Sequence, residues 1–195
     1  MNLPDNLLLP LKKHSYFRGL FALKAFHPVL HEMEKGLTSI TVSEIGNSMA
    51  PSKALMLLFK LHTLKLTENQ VTNLIRHPSQ PLIRALGFLY LRLSAPPEDM
   101  VNWLWDYLPD TQPLLLHPKA KPTTVGHFVL KLLTHQKFEG ALLLPRLPPA
   151  LAREITAQLA DQFPSLKAQK KRDREDIPFS SPSSSSSSAK HLRTR

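Results

Sequence analysis

The sequence predicts an all-α protein, with a compact multi-helix domain around one central apolar helix and a disordered C-terminal tail. The central helix is predicted by residues 83–92, IRALGFLYLR, which are apolar on nearly every side of a helix. Two arginines and a short length are typical of a protein core and not of a bilayer span. Elsewhere apolar residues recur at helical spacing, and no alternating β-branched run predicts a large sheet.

The first helices follow from apolar spacing and from residues that suit helix ends. Residues 15–26 place aromatic and leucine side chains toward one face, which predicts a helix over this range. Pro28 and Gly36 are suited to the start and the end of a second helix. Residues 38–50 lack helical periodicity, so we expect a short extended segment around Ile40.

Three helices are expected next to the central helix along the chain. Pro51 opens a strongly apolar stretch that predicts a long helix. Thr67 and Gln70 form a capping-box pattern, which predicts the start of another helix before the central one. After the central helix, Glu98 and Asp99 fall in a first helical turn, where the helix dipole favours acidic side chains.

Two further helices complete the predicted domain. Thr123 or Thr124 is expected to cap the first, and the second is expected to run from about residue 149 to residue 162. The composition then changes sharply, because apolar residues become rare and serine-rich and basic stretches begin. We therefore divide the chain into a helical domain, residues 1–164, and a tail, residues 165–195.

The predicted tail carries a disproportionate share of the positive charge. Residues 165–195 hold eight Lys/Arg and three Asp/Glu, a net +5 over 31 residues, whereas residues 1–164 hold 17 and 12, also a net +5. So few apolar residues cannot offset the entropy of ordering, which predicts disorder. The tail residues expected to act in nuclear import or RNA contact are Lys167, Lys170, Lys171, Arg172 and Arg174.

Residues suited to catalysis or metal binding do not occur at the required spacing. The chain has no cysteine, which excludes disulfides, thiolate zinc sites and cysteine nucleophiles. His31 and Glu32 begin like the zinc-protease pattern H-E-x-x-H, but Lys35 occupies the place of the second histidine. We therefore expect no enzyme activity, catalytic residue, metal or cofactor, and no secretory signal or membrane span.

Four residues of the central helix form a predicted structural motif. Arg84 and Arg92 need carboxylates or carbonyls if they are buried. Gly87 is expected to let another helix approach closely, and Tyr90 to bury its ring while its hydroxyl meets a neighbour. The carboxylates considered as partners for the arginines are Glu32, Glu44 and Asp106.

Three exposed features are candidates for contacts with a partner protein. Trp103 and Trp105 point in divergent directions on one helix, so Trp103 is expected outward if Trp105 faces the core; the alternative is that both are partly buried. Arg146 lies in a rigid proline-flanked connector. The third feature is the loop before Pro51, and its candidate residues are Glu44, Gly46, Asn47 and Ser48.

Four blocks of this sequence, in order, resemble the pre-mRNA-splicing factor 38 family. They are SYFRGLFALKAFHPVLHEM, GNSMAPSKALMLLFKLHTLKLTENQV, HPSQPLIRALGFLYLRLSAPPEDMVNWLWDYL and TVGHFVLKLLTHQKFEGALLLPRLPP. The I-R-A-L-G-F-x-Y-x-R core of the third block is the most specific. The blocks cover roughly residues 15–153, and the loop before Pro51 departs from the family in having one glycine.

The resemblance implies a nuclear, non-enzymatic spliceosomal protein. It further implies an all-helical scaffold that docks other spliceosomal proteins, as elongated helical segments, around spliceosome activation. We expect a monomer within a large assembly and no membrane partner. The alternative is a direct RNA-binding subunit that contacts small nuclear RNA through its basic tail and surface.

Overall fold

The computed structural model describes residues 5–44, 47–139 and 142–163, and these residues are mostly helical. The helices are α1 Asp5–Lys13, α2 Ser15–Gly19, α3 Phe26–Gly36, α4 Lys53–Leu64, α5 Glu68–Ile75, α6 Pro81–Ser94, α7 Pro97–Trp105, α8 Val125–Thr134 and α9 Pro149–Gln162. The strands are β1 Ser43–Glu44, β2 Asn47–Pro51, β3 Pro113–Leu114, β4 Thr123–Thr124, β5 Lys137–Phe138 and β6 Leu142–Leu143. They pair in chain order as three antiparallel two-stranded ribbons, and the all-α prediction is confirmed.

Helix α6 forms the buried centre of the domain, as its apolar sequence predicts. Every residue from 83 to 92 except Arg84 is buried. α6 packs against α4, α5, α7 and α8, which add large core side chains such as Leu57, Leu74 and Phe128. Removing this apolar surface from water is the main favourable contribution to folding. The predicted central apolar helix is confirmed.

Several helix ends agree with the local sequence signals. The Thr67 hydroxyl accepts a hydrogen bond from the Gln70 amide at 3.4 Å, and the Gln70 side chain accepts one from the Thr67 amide at 3.1 Å. Thr124 caps α8 by accepting from the His127 amide at 3.2 Å. Each contact satisfies an amide that has no partner inside its helix. The last helix, α9, has the predicted bounds.

The predicted helix over residues 15–26 is wrong in its length. α2 ends at Gly19, a 3-10 turn covers Leu20–Ala22, and the chain is non-helical until α3 begins. Glycine has a low helix propensity, and the tighter turn rotates the following side chains away from the α-helical face. Phe17 is consequently buried, whereas Phe21 is 60% exposed.

The N-terminal helix α1 was not predicted from the sequence. Pro10 lies inside this helix and argues against a helical assignment, because proline removes a backbone donor. α1 packs on α2 and β2, and Leu11 is fully buried. The N-terminal segment is therefore part of the folded body from Asp5 onward.

The described residues between 38 and 50 are non-helical, as predicted, and include β1 and most of β2. Ile40 is fully buried, and its amide donates to the Leu116 carbonyl at 2.7 Å. The expectation that Pro51 opens the next helix is wrong, because Pro51 ends β2. Ser52 is the residue that caps α4, accepting a hydrogen bond from the Leu55 amide at 3.0 Å.

Candidate partner-binding surface

Arg84 links α6 to α5 and to the segment that follows α7. Its Nε donates to the Ile75 carbonyl at 2.8 Å, and one terminal nitrogen donates to Asp110 Oδ2 at 2.6 Å. The other terminal nitrogen donates to the Gln112 side chain. With 11% of its side chain exposed, Arg84 is a satisfied internal contact and offers little surface to a partner.

Arg92 is held by backbone carbonyls and lies in the core, 4% exposed. Its Nε donates to the Leu132 carbonyl at 2.8 Å, and a terminal nitrogen donates to the Pro145 carbonyl at 2.7 Å. Leu132 lies in the last turn of α8, where the helix dipole favours a cation. Burial lowers the pKa of the Arg92 guanidinium below its ordinary value.

The carboxylates expected for these arginines were wrong. Glu32 instead contacts Lys53 at 2.9 Å and accepts a hydrogen bond from the Tyr16 hydroxyl at 2.9 Å. Asp110 is the carboxylate that Arg84 contacts. The two other residues considered, both exposed, are Glu44 and Asp106.

Gly87 and Tyr90 both lie where α6 meets α5 and the segment before it. A Cβ atom at Gly87 would lie 2.9 Å from Leu74 Cβ and 3.0 Å from Ile75 Cγ2, closer than packed atoms allow. The Tyr90 ring is buried, and its hydroxyl accepts a hydrogen bond from the Leu66 amide at 3.2 Å. Both residues therefore fix the position of α5 against the central helix.

A groove of about 360 Å³ lies between the start of α5, the end of α6 and α7. Its floor includes Val71 and Leu91, which are buried, and half-buried Trp103 forms part of its lining. Glu68 and Asp99 also line the groove and are exposed. An apolar floor with a tryptophan and a polar rim has the anatomy of a peptide-binding groove. We call this surface the Trp103 groove.

Trp105, on the same helix, contacts the end of α9. Its Nε1 donates to the Gln162 side chain at 3.2 Å, and its ring packs edge-on against Phe163, with centroids 6.2 Å apart. Trp103 and Trp105 are both half-buried and serve different neighbours. The second tryptophan therefore provides a matched comparison for the first.

The other candidate contact residues lie in two separate places in the chain. Glu44 is exposed in β1 and pairs in register with Asn47 of β2. Ser48 also lies in β2, whereas Gly46 lies outside the described residues. Arg146 is exposed in the connector between β6 and α9, next to the carbonyl of Pro145 that Arg92 binds.

The candidate tail residues lie outside the described part of the chain. These residues are Lys167, Lys170, Lys171, Arg172 and Arg174. The boundary between a domain of residues 1–164 and a tail of residues 165–195 therefore remains a prediction.

One cluster of ionisable groups was not identified from the sequence. Glu34 accepts from His77 Nε2 at 3.3 Å and lies 3.4 Å from His31 Nδ1. His77 Nδ1 accepts from the Gln80 amide, so Nε2 carries the proton that His77 donates. These hydrogen bonds, that of His77 first, lower the pKa of Glu34. Only the spacing of His31 and Glu34 signals this contact, because His77 comes from a distant segment.

Within the described ranges, no three His, Asp or Glu side chains are grouped so that they would hold a metal ion. None of the helices described above is both long and apolar enough to cross a bilayer. His31 and His77 both contact the Glu34 carboxylate.

Comparisons with known proteins identify relatives among splicing factors. The chain is 33% identical to the pre-mRNA splicing factor SR-like 1 of Arabidopsis thaliana, over 78% of this chain and 39% of that protein. It is 32% identical to the human pre-mRNA-splicing factor 38B, over 91% of this chain and 36% of that protein. The chain thus matches less than two fifths of the length of these curated relatives.

A solved structure shares the fold. A chain in the crystal structure of the Snu23–Prp38–MFAP1(217–258) complex of Chaetomium thermophilum matches with a TM-score of 0.64 and 16% identity. The match covers 89% of this chain and 93% of that chain. At this identity the similarity establishes the architecture of the domain.

The sequence model of the PRP38 family matches residues 1–157 of the 195-residue chain. The match includes all four sequence blocks that resemble the pre-mRNA-splicing factor 38 family, so that resemblance is confirmed. It also includes every described helix except the end of α9. Because the family model covers about four fifths of the sequence, the chain belongs to the PRP38 family.

Proposed function

We propose that this chain is a non-enzymatic, nuclear scaffold protein of pre-mRNA splicing that docks other spliceosomal proteins around spliceosome activation. The observation that carries the proposal is its fold, which nearly the whole of a chain in a complex of Snu23, Prp38 and MFAP1 shares. MFAP1 is present there as residues 217–258 only, which favours docking of an extended or helical segment. The names of the curated relatives favour splicing as the process.

The Trp103 groove is the surface that we assign to one such segment. A few buried anchors supply most of the free energy of a protein interface, and tryptophan is enriched among them. Trp103 and buried Leu91 both line the groove, so an apolar side chain placed against Trp103 would be removed from water on several of its sides. Glu68 and Asp99 would set the orientation of the segment through their charges. Arg146 and the residues Glu44, Gly46, Asn47 and Ser48 are proposed as further, separate contacts.

The experiment that tests the proposal is affinity purification of the intact chain from nuclear extract, with and without nuclease and at raised salt. Splicing proteins that remain bound after nuclease treatment would support protein docking. Loss of all of them with nuclease or salt would favour the alternative, RNA binding through the basic tail and surface. Purification of no splicing component in any arm would contradict a role in splicing.

The Trp103→Ala variant localises the docking surface. We expect it to lower the recovery of at least one nuclease-resistant partner about tenfold or more, because truncating an anchor side chain costs about 2 kcal/mol. The matched control is Trp105→Ala, which removes a tryptophan of similar exposure that contacts α9. Equal recovery of every partner by Trp103→Ala and the unaltered chain would contradict this assignment.

A further inference from the structure

The chain beyond α9 starts close to the Trp103 groove. Phe163, the last described residue, packs against Trp105 on α7, and Trp103 lies two residues away on the same helix. Two residues correspond to about 200° of rotation, so the two rings face nearly opposite sides of α7. A segment that leaves Phe163 therefore needs to pass around one helix to reach the groove.

The length of chain after Phe163 is sufficient for this path. A helix with its side chains is about 10–12 Å across, and an extended chain covers about 3.3–3.6 Å per residue. Half the circumference of α7 is thus spanned by about five or six residues. Lys170 lies seven residues after Phe163, and Ile177 and Phe179 follow within the next nine.

The charges of the groove and of this segment are complementary. Among the described residues that line the groove, Glu68 and Asp99 are the ones charged at neutral pH, and both are acidic and exposed. Residues 166–179 contain five Lys/Arg and three Asp/Glu, a net charge of +2, and all five basic residues lie within 167–174. Opposite charges at the rim of a groove orient a bound segment and accelerate its association.

The segment also contains apolar side chains suited to the floor of the groove. Residues 177–179, Ile-Pro-Phe, follow the basic stretch and are separated from it by the acidic pair Glu175 and Asp176. The floor at Val71 and Leu91 is apolar, and an aliphatic or aromatic side chain placed there would bury surface of both partners. The order of basic residues and then an apolar cluster therefore matches the exposed acidic rim and the buried apolar floor.

We propose that residues 166–179 of this chain bind intramolecularly in the Trp103 groove and compete there with partner segments. A tethered segment binds at a high effective concentration, so weak individual contacts suffice for occupancy. A partner that uses the groove must displace the tail, which reduces its apparent affinity by the occupied fraction. The inference rests on the groove itself and holds whether or not the partner is a splicing protein.

The chain permits a direct test, because it contains no cysteine and two tryptophans. A Ser181→Cys variant of the full chain, also carrying Trp105→Phe, is labelled with a nitroxide, which quenches tryptophan emission only at short range. Trp103 is then the sole tryptophan, and its emission is selected over that of the three tyrosines by long-wavelength excitation. We expect the label to quench Trp103 at low ionic strength. Emission should recover near 1 M salt, where the Debye length falls to about 3 Å. A label at Thr194→Cys, 13 residues farther along, is the matched control and should quench less.

Charge variants connect the quenching to the groove. Glu68→Gln together with Asp99→Asn should lower the ratio of bound to free tail about fivefold, since exposed ion pairs are individually weak. Glu154→Gln together with Asp161→Asn, on α9, removes the same charge outside the groove lining and should leave quenching unchanged. Absence of quenching at Ser181→Cys, or quenching unaffected by the Glu68 and Asp99 changes, would overturn the proposal.

An intermolecular arrangement is distinguished by mixing two chains. A labelled chain in which both tryptophans are replaced by phenylalanine is added to an unlabelled chain that retains Trp103. Quenching in this mixture as strong as in the singly labelled chain would mean that a second copy fills the groove, and would overturn the intramolecular proposal. Recovery of splicing proteins is measured separately, so failure of the proposed function leaves the quenching result unchanged.

Discussion

The two ends of α6 bury an arginine in different ways. At the N-terminal end, Arg84 meets a carboxylate, an amide and a carbonyl, and its side chain is still 11% exposed. At the C-terminal end, Arg92 is 4% exposed and binds two carbonyls. The first site is an ion pair near the surface, whereas the second uses backbone dipoles inside the core. The comparison shows that arginines inside the domain connect α6 to other segments, through an ion pair at one end and through backbone carbonyls at the other.

Replacement of Arg92 should have the largest effect on the free energy of unfolding. We expect Arg92→Ala to lower the free energy of unfolding by about 3 kcal/mol, because it removes the donor from the buried Leu132 carbonyl and from the Pro145 carbonyl and opens a cavity. Urea denaturation followed by circular dichroism measures the change. Arg146→Ala, at an exposed position, is the control and should change stability by less than about 0.5 kcal/mol. A loss below about 1 kcal/mol for Arg92→Ala would contradict the role of these hydrogen bonds.

Arg92→Lys sharpens the comparison, because it keeps the positive charge and changes only the geometry of the donors. A lysine ammonium is a compact donor group and cannot reproduce the fork that spans the carbonyls of Leu132 and Pro145. We expect an intermediate loss of about 2 kcal/mol in the same denaturation assay. Stability equal to that of the unaltered chain would mean that charge alone, and not donor geometry, holds the connector.

Replacement of Arg84 should have a smaller effect on stability, and this effect should depend on Asp110. We expect Arg84→Ala to cost about 1–2 kcal/mol, since Arg84 is hydrogen-bonded but closer to solvent. A double-mutant cycle with Asp110→Asn should give a coupling energy of about 1 kcal/mol. The asparagine can still accept the hydrogen bond from the Gln112 amide, so the local turn is retained. If the effects of Arg84→Ala and Asp110→Asn were additive, the ion pair would contribute no coupling energy, and the distinction between an ion pair at Arg84 and backbone carbonyls at Arg92 would be wrong.

The smallest effect is expected at a surface ion pair, Glu32 with Lys53. The hydrogen bond from Lys53 is the main cause that lowers the pKa of Glu32 below its ordinary value of 4.5, and Tyr16 contributes a second bond. Because the pKa of Glu32 is lower in the folded than in the unfolded state, its ionised carboxylate stabilises the fold at pH values above the unfolded-state pKa. This stabilisation is lost as the pH falls through the folded-state pKa. Glu32→Gln should therefore reduce the loss of stability between pH 6 and pH 3 by less than about 1 kcal/mol. The free energy of unfolding is measured at both pH values. An equal loss of stability between pH 6 and pH 3 in Glu32→Gln and in the unaltered chain would contradict this assignment.

Local sequence signals predicted the helices better than the contacts between them. The central helix was predictable because its apolar residues surround the axis, and Thr67 with Gln70 identified a helix start by side-chain chemistry alone. The partners of Arg92 were not predictable, because they are carbonyls 40 and 53 residues away, and backbone groups leave no trace in residue identity. The N-terminal helix was missed because Pro10 is a strong local signal that tertiary packing overrode.

The candidate surface was predictable only in part for the same reason. Trp103 was identified from its position on α7 relative to Trp105. The groove beside it also requires Leu66 and Val71, which lie more than thirty residues earlier and carry no signal of exposure in the sequence. A single sequence therefore identifies an anchor residue more readily than the concave surface around it.

The folded domain extends beyond the residues that the family model matches. The family match ends at residue 157, inside α9, whereas buried Leu159 and the Gln162 and Phe163 contacts with Trp105 come after it. A fragment that ends at residue 157 would lack the last turn of α9 and the Gln162 and Phe163 side chains that contact the Trp105 indole. Expression fragments that end at residue 157 would therefore fray at the C-terminal helix, while those that end after Phe163 would retain a built-in optical reporter of an intact C-terminal helix.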